Sequence, residues 1–485
     1  MKPRHQIDHI NYIGRHSERV EFRALFKRKT ATLITCQGRR RIGKSRFITE
    51  CAADADHFLS FSGLAPRDGI TRRDQLDAFA EQLSQQTAIP RLPLDGWPAA
   101  FQLLASQLPT KSCVVLLDEI SWMAIGDPDF AGHLKTVWDQ SFSKHPGLIL
   151  VLCGSVSSWL EANILNSTGF VGRCAWQFHL RPLPLDECSA FWGKRSPRIS
   201  PAEKWRMLAV TGGVPGYLEQ LLPTLGAEEN IERLCFHPGG MLFHECGRIF
   251  HDIFTRRADT YRDICATLLN GPKTLQEISA KLGRERGGSL GDALHDLDLA
   301  GFLHKDSFFD PQTAATRPRD HRYRIADPYL RFHLKYVAPH EEPIRKGLYQ
   351  RVPLESLKAW DTLMGFQFEA LLLDSLSLII ERLGLKNRAI LDAGPYAQRQ
   401  TLRRQACQID LLIRTRNALY VCEMKFRRHI TGSVIDEVRE KVARLKLSSP
   451  LTVRTVLIHS GELDLAIPAS DYFDHLIDAD DWLRS

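Results

Sequence analysis

The 485-residue chain has no apolar run approaching the roughly 20 residues that cross a bilayer, no Cys-x-x-Cys pair, no low-complexity tract and no convincing internal repeat. The first absence excludes a membrane-spanning helix. The second excludes a zinc ribbon, and with no secretory leader in the polar start "MKPRHQIDHI" the eleven scattered cysteines read as reduced core residues rather than disulfides. Cys113, Cys153 and Cys422 stand inside apolar runs, where a thiol behaves as a small hydrophobe. A cytoplasmic protein without membrane contact is the resulting expectation.

What is present is ordinary in bulk: 44% hydrophobic residues, 25% charged and a net charge of +7. That length exceeds what one core organises and suggests about three domains. The charge is a mild excess that permits contact with nucleic acid without demanding it. It is concentrated locally, at 38–46, 283–288, 399–405 and 425–429.

The strongest motif is "GRRRIGKS" at 38–45, which follows the apolar run "ATLITCQ" and opens a helix at "SRFITECAADA". The full G-x-x-x-x-G-K-[ST] pattern in a strand, loop and helix context is what polyphosphate binding needs. Loop amides of Gly38, Arg39, Arg40, Arg41, Ile42, Gly43, Lys44, Ser45 and Arg46 would surround the phosphates of ATP. Lys44 would reach the β and γ oxygens, and Ser45 would ligate Mg2+ at a helix N-terminus. Downstream, "SCVVLLDEIS" at 112–121 reads as a buried parallel strand that delivers two acids at its C-terminal end. Asp118 would hold the metal through water, and Glu119 would polarise the attacking water. The next run, "GLILVLCGS", ends in Ser155, placed either to sense the γ-phosphate or to cap the following helix.

These residues resemble the archaeal-type ATPases of the extended AAA and STAND-like group, and the resemblance covers nearly the whole chain. "NYIGRHSERVEFRAL" is similar to that family's opening Gly-Arg segment beside the adenine, with His16 where an acid is usual. "GFVGRC" is similar to its Gly-Arg element, which implies that Arg173 contacts the γ-phosphate, in cis or across the subunit boundary of a homo-oligomer. "TGGVPGYL" is similar to its Gly-x-Pro module, which implies a contact between Pro215 and the nucleotide base. The expected domains are a P-loop ATPase core at 1–185, a helical lid at 186–256, a winged helix and junction at 257–340, and a C-terminal domain at 341–485.

The stretch 261–306 shows three apolar-periodic segments and a short strand-like run, the spacing of helix, turn, helix and wing. Leu290, Leu294, Leu297 and Leu299 would form its buried stripe. Asp292, Asp296 and Asp298 on the second helix are poor chemistry for a phosphate backbone, although Arg284 and Arg286 precede them. DNA reading and a packing role both remain open. "RYRIADPYLRFHLKYVAP" at 322–339 resembles the family's junction and marks a hinge.

In the last domain "QIDLLIRTRNALYVCEMKF" at 408–426 reads as two strands joined by the polar turn "RTRN". Alternation puts Glu423 and Lys425 on one face and Cys422, Met424 and Phe426 on the other. If Asp410 meets them across the hairpin, two carboxylates and an ammonium converge, a set able to bind Mg2+ and orient a water for phosphodiester attack. An amphipathic helix at 364–379 containing Glu369, a second helix at 434–447 and a strand at 453–461 flank the hairpin.

This order is similar to the PD-(D/E)xK nuclease core. The resemblance implies Asp410 and Glu423 as metal ligands, Lys425 as the residue that orients water, and Glu369 as an accessory acid. Gln408 stands where the family often has a glutamate. The combined expectation is an α/β protein in which an ATP-hydrolysing switch controls a DNA-binding, metal-dependent nuclease-like domain. The rival is a non-cleaving regulator whose C-terminal charges form a structural ion cluster. A small-molecule kinase is disfavoured because no compact substrate lid separates the nucleotide motifs.

Overall fold

The computed structural model describes residues 12–155, 158–254, 258–284, 288–349, 352–400, 405–445, 447 and 451–484. Arg286 and residues 401–404 lie outside them. The chain divides into two compact units, residues 1–181 and 182–485.

The first unit is built on a five-stranded, all-parallel sheet: β1 (Thr32–Gly38), β2 (His57–Ser62), β3 (Cys113–Asp118), β4 (Leu148–Ser155) and β5 (Cys174–Leu180), in the order β2-β3-β4-β1-β5. Continuous apolar runs such as "CVVLLD" suit strands covered on both faces. Alternation then deals the side chains to two cores. Val115, Leu117, Leu150 and Leu152 pack with Phe79, Trp97, Phe101 and Phe130. Val114, Leu116, Val151 and Cys153 pack on the other face with Phe22 and Phe47. Because the register pairs Gly38 with Ser155 and Ser62 with Asp118, all these residues end at one edge of the sheet, where α/β proteins bind ligands.

The second unit begins with helices, among them Pro201–Thr211, and continues into a three-helix module of Ala258–Thr267, Leu275–Leu282 and Gly288–Leu299. Thr274 and Glu277 form a capping box on its middle helix, satisfying two N-terminal amides. Leu290, Ala293, Leu294 and Leu297 make the buried stripe. Leu299 is only half-buried, since it falls off the 3.6-residue face that Ala293 occupies instead.

A two-stranded hairpin follows, β6 (Leu303–Phe309) and β7 (Thr316–Ile325). The first four residues of the expected junction therefore belong to a strand. The mostly polar "TRPRDHRYRI" of β7 shows no apolar alternation that would announce it.

The last sheet contains β8 (Ile390–Gln398), β9 (Cys407–Thr415), β10 (Ala418–Ile430), β11 (Thr452–Leu463) and β12 (His475–Asp478), in the order β12-β11-β10-β9-β8. β8, β9 and β10 are antiparallel neighbours, whereas β11 and β12 run parallel to β10. One face packs on the Trp360–Asp374 helix and the other on Ser433–Leu445.

The helix expected at 364–379 is two helices, Trp360–Asp374 and Leu376–Arg382, bent by 74° at Ser375. The Ser375 hydroxyl accepts the backbone N–H of Leu185 at 3.2 Å, so this residue serves a tertiary contact at the break. Among the described residues no single helix is long and apolar enough to cross a membrane.

Gly213, in the expected Gly-x-Pro module, shows how closely the second unit is packed. The Leu183 N–H donates to its carbonyl at 2.7 Å, and a Cβ at Gly213 would lie 2.2 Å from the Leu183 oxygen. Gly213→Ala is expected to cost about 1–3 kcal/mol in chemical denaturation. Gly247→Ala, in open space on the Met241–Phe254 helix, should instead stabilise by about 1 kcal/mol. Equal stabilities for the two variants would contradict the close approach.

Candidate functional site

The phosphate loop leaves β1 at Gly38, where a Cβ would meet the Leu180 carbonyl at 2.6 Å and the Ile42 side chain at 2.9 Å. Arg41 (φ 67°) and Gly43 (φ 88°) take left-handed backbone, which curls successive amides inward before the Lys44–Ala52 helix begins. Lys44 is buried and folds back, donating to the carbonyls of Gly38 at 3.0 Å and Arg39 at 3.3 Å. Arg15, buried behind the loop, donates to the Ile42 carbonyl at 3.2 Å and pairs with Glu18. The Gly-Arg segment thus braces the loop through Arg15, while His16 starts the first helix. Arg46 and Arg19 lie over the ring of Tyr12.

Ser45 donates to Asp118 Oδ2 at 2.5 Å, so the hydroxyl and carboxylate expected to share a metal already converge. That pair fits magnesium, a hard cation that takes one or two protein oxygens together with water and phosphate. Glu119 sits in left-handed backbone at φ 48°, and its Oε2 accepts the Ser155 N–H at 3.4 Å. Burial pushes its carboxyl up, Lys44 draws it down and Asp118 raises it again, leaving it above the usual range. Ser155 therefore meets this site through its backbone.

Arg173 is not brought to this edge. It precedes β5, whose Cys174 pairs with Leu33 near the start of β1, and six residues of strand put it about 20 Å from the loop end. Its guanidinium grips both oxygens of Asp139, at 2.7 and 2.8 Å. The in-cis contact expected of Arg173 is corrected on that ground. Pro215 starts a short helix in the second unit.

The Glu-x-Lys site has a different construction. Pairing of β9 with β10 stops at Cys422 opposite Leu411, while β10 continues along β11 to Ile430. On its other side, between the pairs Gly394–Leu412 and Tyr396–Ile409, β9 places two residues against one of β8. This bulge at Asp410 and Leu411 re-aims the carboxylate, and Asp410 Oδ2 accepts the Met424 N–H at 2.8 Å. Beyond it a cleft of about 450 Å³ opens, lined by Glu369, Gln408, Asp410, Glu423, Lys425 and Lys441 among others. Asp410, Glu423, Lys425 and Glu369 thus share one cavity.

Within it Glu423, only 2% exposed, is held by two ammonium groups. Lys425 lies 2.7 Å from Oε1, and Lys441 of the Ser433–Leu445 helix 2.6 Å from Oε2. Glu437, one helical turn before Lys441, meets both lysines at 2.9 and 3.1 Å. Neither Glu437 nor Lys441 was singled out from sequence. The Glu-x-x-x-Lys spacing was the available signal, but such pairs are common on solvated helices.

The electrostatics follow. Burial, reinforced by Glu369, pushes the Asp410 carboxyl up to about 7. Burial and Asp410 push Glu423 up, and burial pushes Glu369 up. Burial alone would raise Glu437, but hydrogen bonds and charge from the lysines hold it below the usual range.

Among the described residues no cluster of three or more His, Cys, Asp or Glu is arranged to hold a metal. Asp410 and Glu423 form a two-carboxylate set, which suits magnesium bound mainly by water, provided Glu423 exchanges a lysine for the ion.

No family model matches the chain. An uncharacterized protein of Methanocaldococcus jannaschii is 23% identical over 341 residues, spanning 69% of this chain and 70% of that protein. Among solved structures, the Walker-type ATPase PABY2304 of Pyrococcus abyssi is 19% identical, with 67% of this chain and 96% of that chain covered and a TM-score of 0.49. The ORC2 protein of Aeropyrum pernix, solved as ADPNP–ADP complexes, is 13% identical, with 70% and 97% covered and a TM-score of 0.41. These neighbours are Walker-type and ORC-type ATPases. The P-loop assignment of the first unit rests on its own sheet order and loop.

Asp410 supplies a pH test. Its raised value means that between about pH 4 and 7 the folded chain keeps a proton that the unfolded chain has released, so this stabilisation is present at low pH and lost as pH rises through 7. In chelator, Asp410→Asn should melt above the parent at pH 8, with the gap closing toward pH 5. A gap independent of pH would mean that Asp410 titrates normally.

Proposed function

We propose that the chain is an ATP-driven switch whose first unit binds and hydrolyses nucleotide and thereby controls a DNA-binding, metal-dependent nuclease-like domain. The observation that carries the C-terminal half is the meeting of Asp410, Glu423, Lys425 and Glu369 in one cleft. The strand order around that cleft supports a PD-(D/E)xK core, and the three helices with their β6–β7 hairpin support a winged helix. Asp296 accepts from the Tyr261 hydroxyl and Asp298 from the Lys305 N–H. Two of the acids that argued against DNA contact are therefore committed to internal bonds.

At the first site Lys44 must leave the carbonyls of Gly38 and Arg39 to reach phosphate oxygens, so ATP replaces an internal contact with an ionic one. Ser45 and Asp118 would hold magnesium, and Glu119 would orient the attacking water. At the second site Asp410 and Glu423 would hold the ion, and Lys425 would orient the nucleophile. When bound, magnesium supplies neutralisation of phosphate charge and an acidified water. Arg173, on the far edge of its sheet, suits a contact across the subunit boundary of a homo-oligomer, and Pro215 is retained as the base-contacting residue of the Gly-x-Pro module.

One observation favours the second reading, a non-cleaving regulator: both oxygens of Glu423 are taken by lysines. The two readings part in an assay of magnesium- or manganese-dependent cutting of plasmid and single-stranded DNA. Cutting should be lost in Asp410→Ala and in Lys425→Ala, and cutting equal to the parent's in both would remove the nuclease reading.

For the first unit, Lys44→Ala should abolish phosphate release. Glu119→Gln should slow it by about 10²–10⁴ while leaving ATP affinity within a few-fold. Parental turnover in Lys44→Ala would end the ATPase reading.

A further inference from the structure

The β6–β7 hairpin belongs by sequence to the three-helix module, yet it is built onto the C-terminal sheet. Phe308 meets Tyr396 of β8 edge-on at 6.5 Å. Arg317 lies over the same ring at 5.3 Å and donates to its hydroxyl at 3.3 Å. Arg414 of β9 donates to the Pro311 carbonyl at 3.1 Å. On the side of the helices, Lys273 and Tyr323 exchange backbone hydrogen bonds of 2.9 and 2.7 Å. The hairpin is thus fixed at both ends.

Residues 322 and 324 share one face of β7. Arg324 is buried against Asp306 at 3.0 Å, and its charge, with that of Arg331, acts on Glu369. Arg322, one step along the same face, lines the cleft that contains Asp410, Glu423, Lys425 and Lys441. The cleft's other cations are committed: Lys425 and Lys441 to Glu423 and Glu437, and Arg444 to Glu440 at 2.8 Å. Arg322 makes no ion pair within 4 Å with a described residue, although its charge acts on Glu277 of the middle helix.

We infer that Arg322 binds a phosphate of the nucleic-acid backbone in this cleft, so that the hairpin and the C-terminal sheet together form one phosphodiester site. The inference rests on the reading of the cleft as a nucleic-acid site. A guanidinium offers a planar pair of donors that matches phosphate oxygens, and such a contact is indifferent to base sequence. Any strand gripped in the cleft then touches the hairpin, and displacement of the three-helix module changes the grip.

The test uses the full chain, with labelled single-stranded and duplex oligonucleotides titrated in chelator across a salt series. Arg322→Ala should weaken binding about tenfold near 0.1 M salt and lower the salt slope by about one. Arg322→Lys should restore the slope, and manganese affinity measured by electron paramagnetic resonance should match the parent's in both variants. Arg382→Ala, which removes only a surface pair with Asp481, should bind DNA as the parent does.

Parental affinity and slope in Arg322→Ala would overturn the inference and leave the nuclease reading intact, provided Asp410→Ala still loses cutting. If Asp410→Ala and Lys425→Ala both cut like the parent, the nuclease reading itself fails whatever Arg322 does. Loss of binding together with a lowered melting temperature in both Arg322 variants would assign Arg322 a structural role, and that too overturns the inference.

Discussion

A carboxylate that is 2% exposed has to be compensated, and much of the C-terminal unit is arranged around compensating Glu423. Lys425 comes from the same strand, two residues on, and Lys441 from the helix that covers the sheet, so β10 and Ser433–Leu445 are tied through one side chain. Removing one partner of such a buried pair typically costs about 3–5 kcal/mol, whereas replacing the whole cluster by apolar groups is often neutral or better. Stability alone therefore gives no reason for burying Glu423 between two lysines beside Asp410. On the proposed reading, a site that would exchange one lysine for a cation and present another to a phosphate would give one.

The first unit handles its charges differently. Lys44 is compensated by backbone carbonyls, and its loop owes its shape to left-handed backbone at Arg41 and Gly43 and to the Arg15 brace. Glu119 is also in left-handed backbone, a conformation that costs a non-glycine residue of order 1–3 kcal/mol. Strain and internal contacts thus collect at the sheet edge where Ser45 meets Asp118. The nucleotide site is made of local geometry, and the C-terminal cleft of side chains drawn from distant elements.

That difference decides what could be read from sequence. The phosphate loop, its strand and its helix were legible because all the determinants lie within about a dozen consecutive residues, and the pairing of Glu423 with Lys425 was legible because strand alternation is local. Three features were not. The bulge at Asp410 leaves no mark in "QIDLLI", since Ile409 and Leu411 are equally apolar although one packs with Leu412 and the other with Ile413. Lys441 lies on a helix whose polar face offers several equivalent charges. The hairpin strand β7 is too polar to show a period. The distance of Arg173 from the loop of its own chain follows from strand order alone, because a residue that precedes a strand of a parallel sheet lies at the edge opposite the phosphate loop.

The Trp360–Asp374 helix joins these parts of the second unit. Gln367 donates to the carbonyls of Ala209 and Pro328, both at 2.8 Å, and accepts from buried Arg331 at 3.2 Å. Phe368 packs on Trp205 at 4.9 Å and on Phe426 of β10 at 5.4 Å, and Glu369 enters the cleft. Three consecutive residues therefore touch the Pro201–Thr211 helix, the segment after β7 and the carboxylate site. Buried amide bonds of this kind are costly to leave unmade, so they hold Gln367 against the Pro201–Thr211 helix. Glu369, two residues further along a continuous helix, lines the cleft with Asp410 and Glu423, so the same helix that is anchored at Gln367 sets the position of that acid.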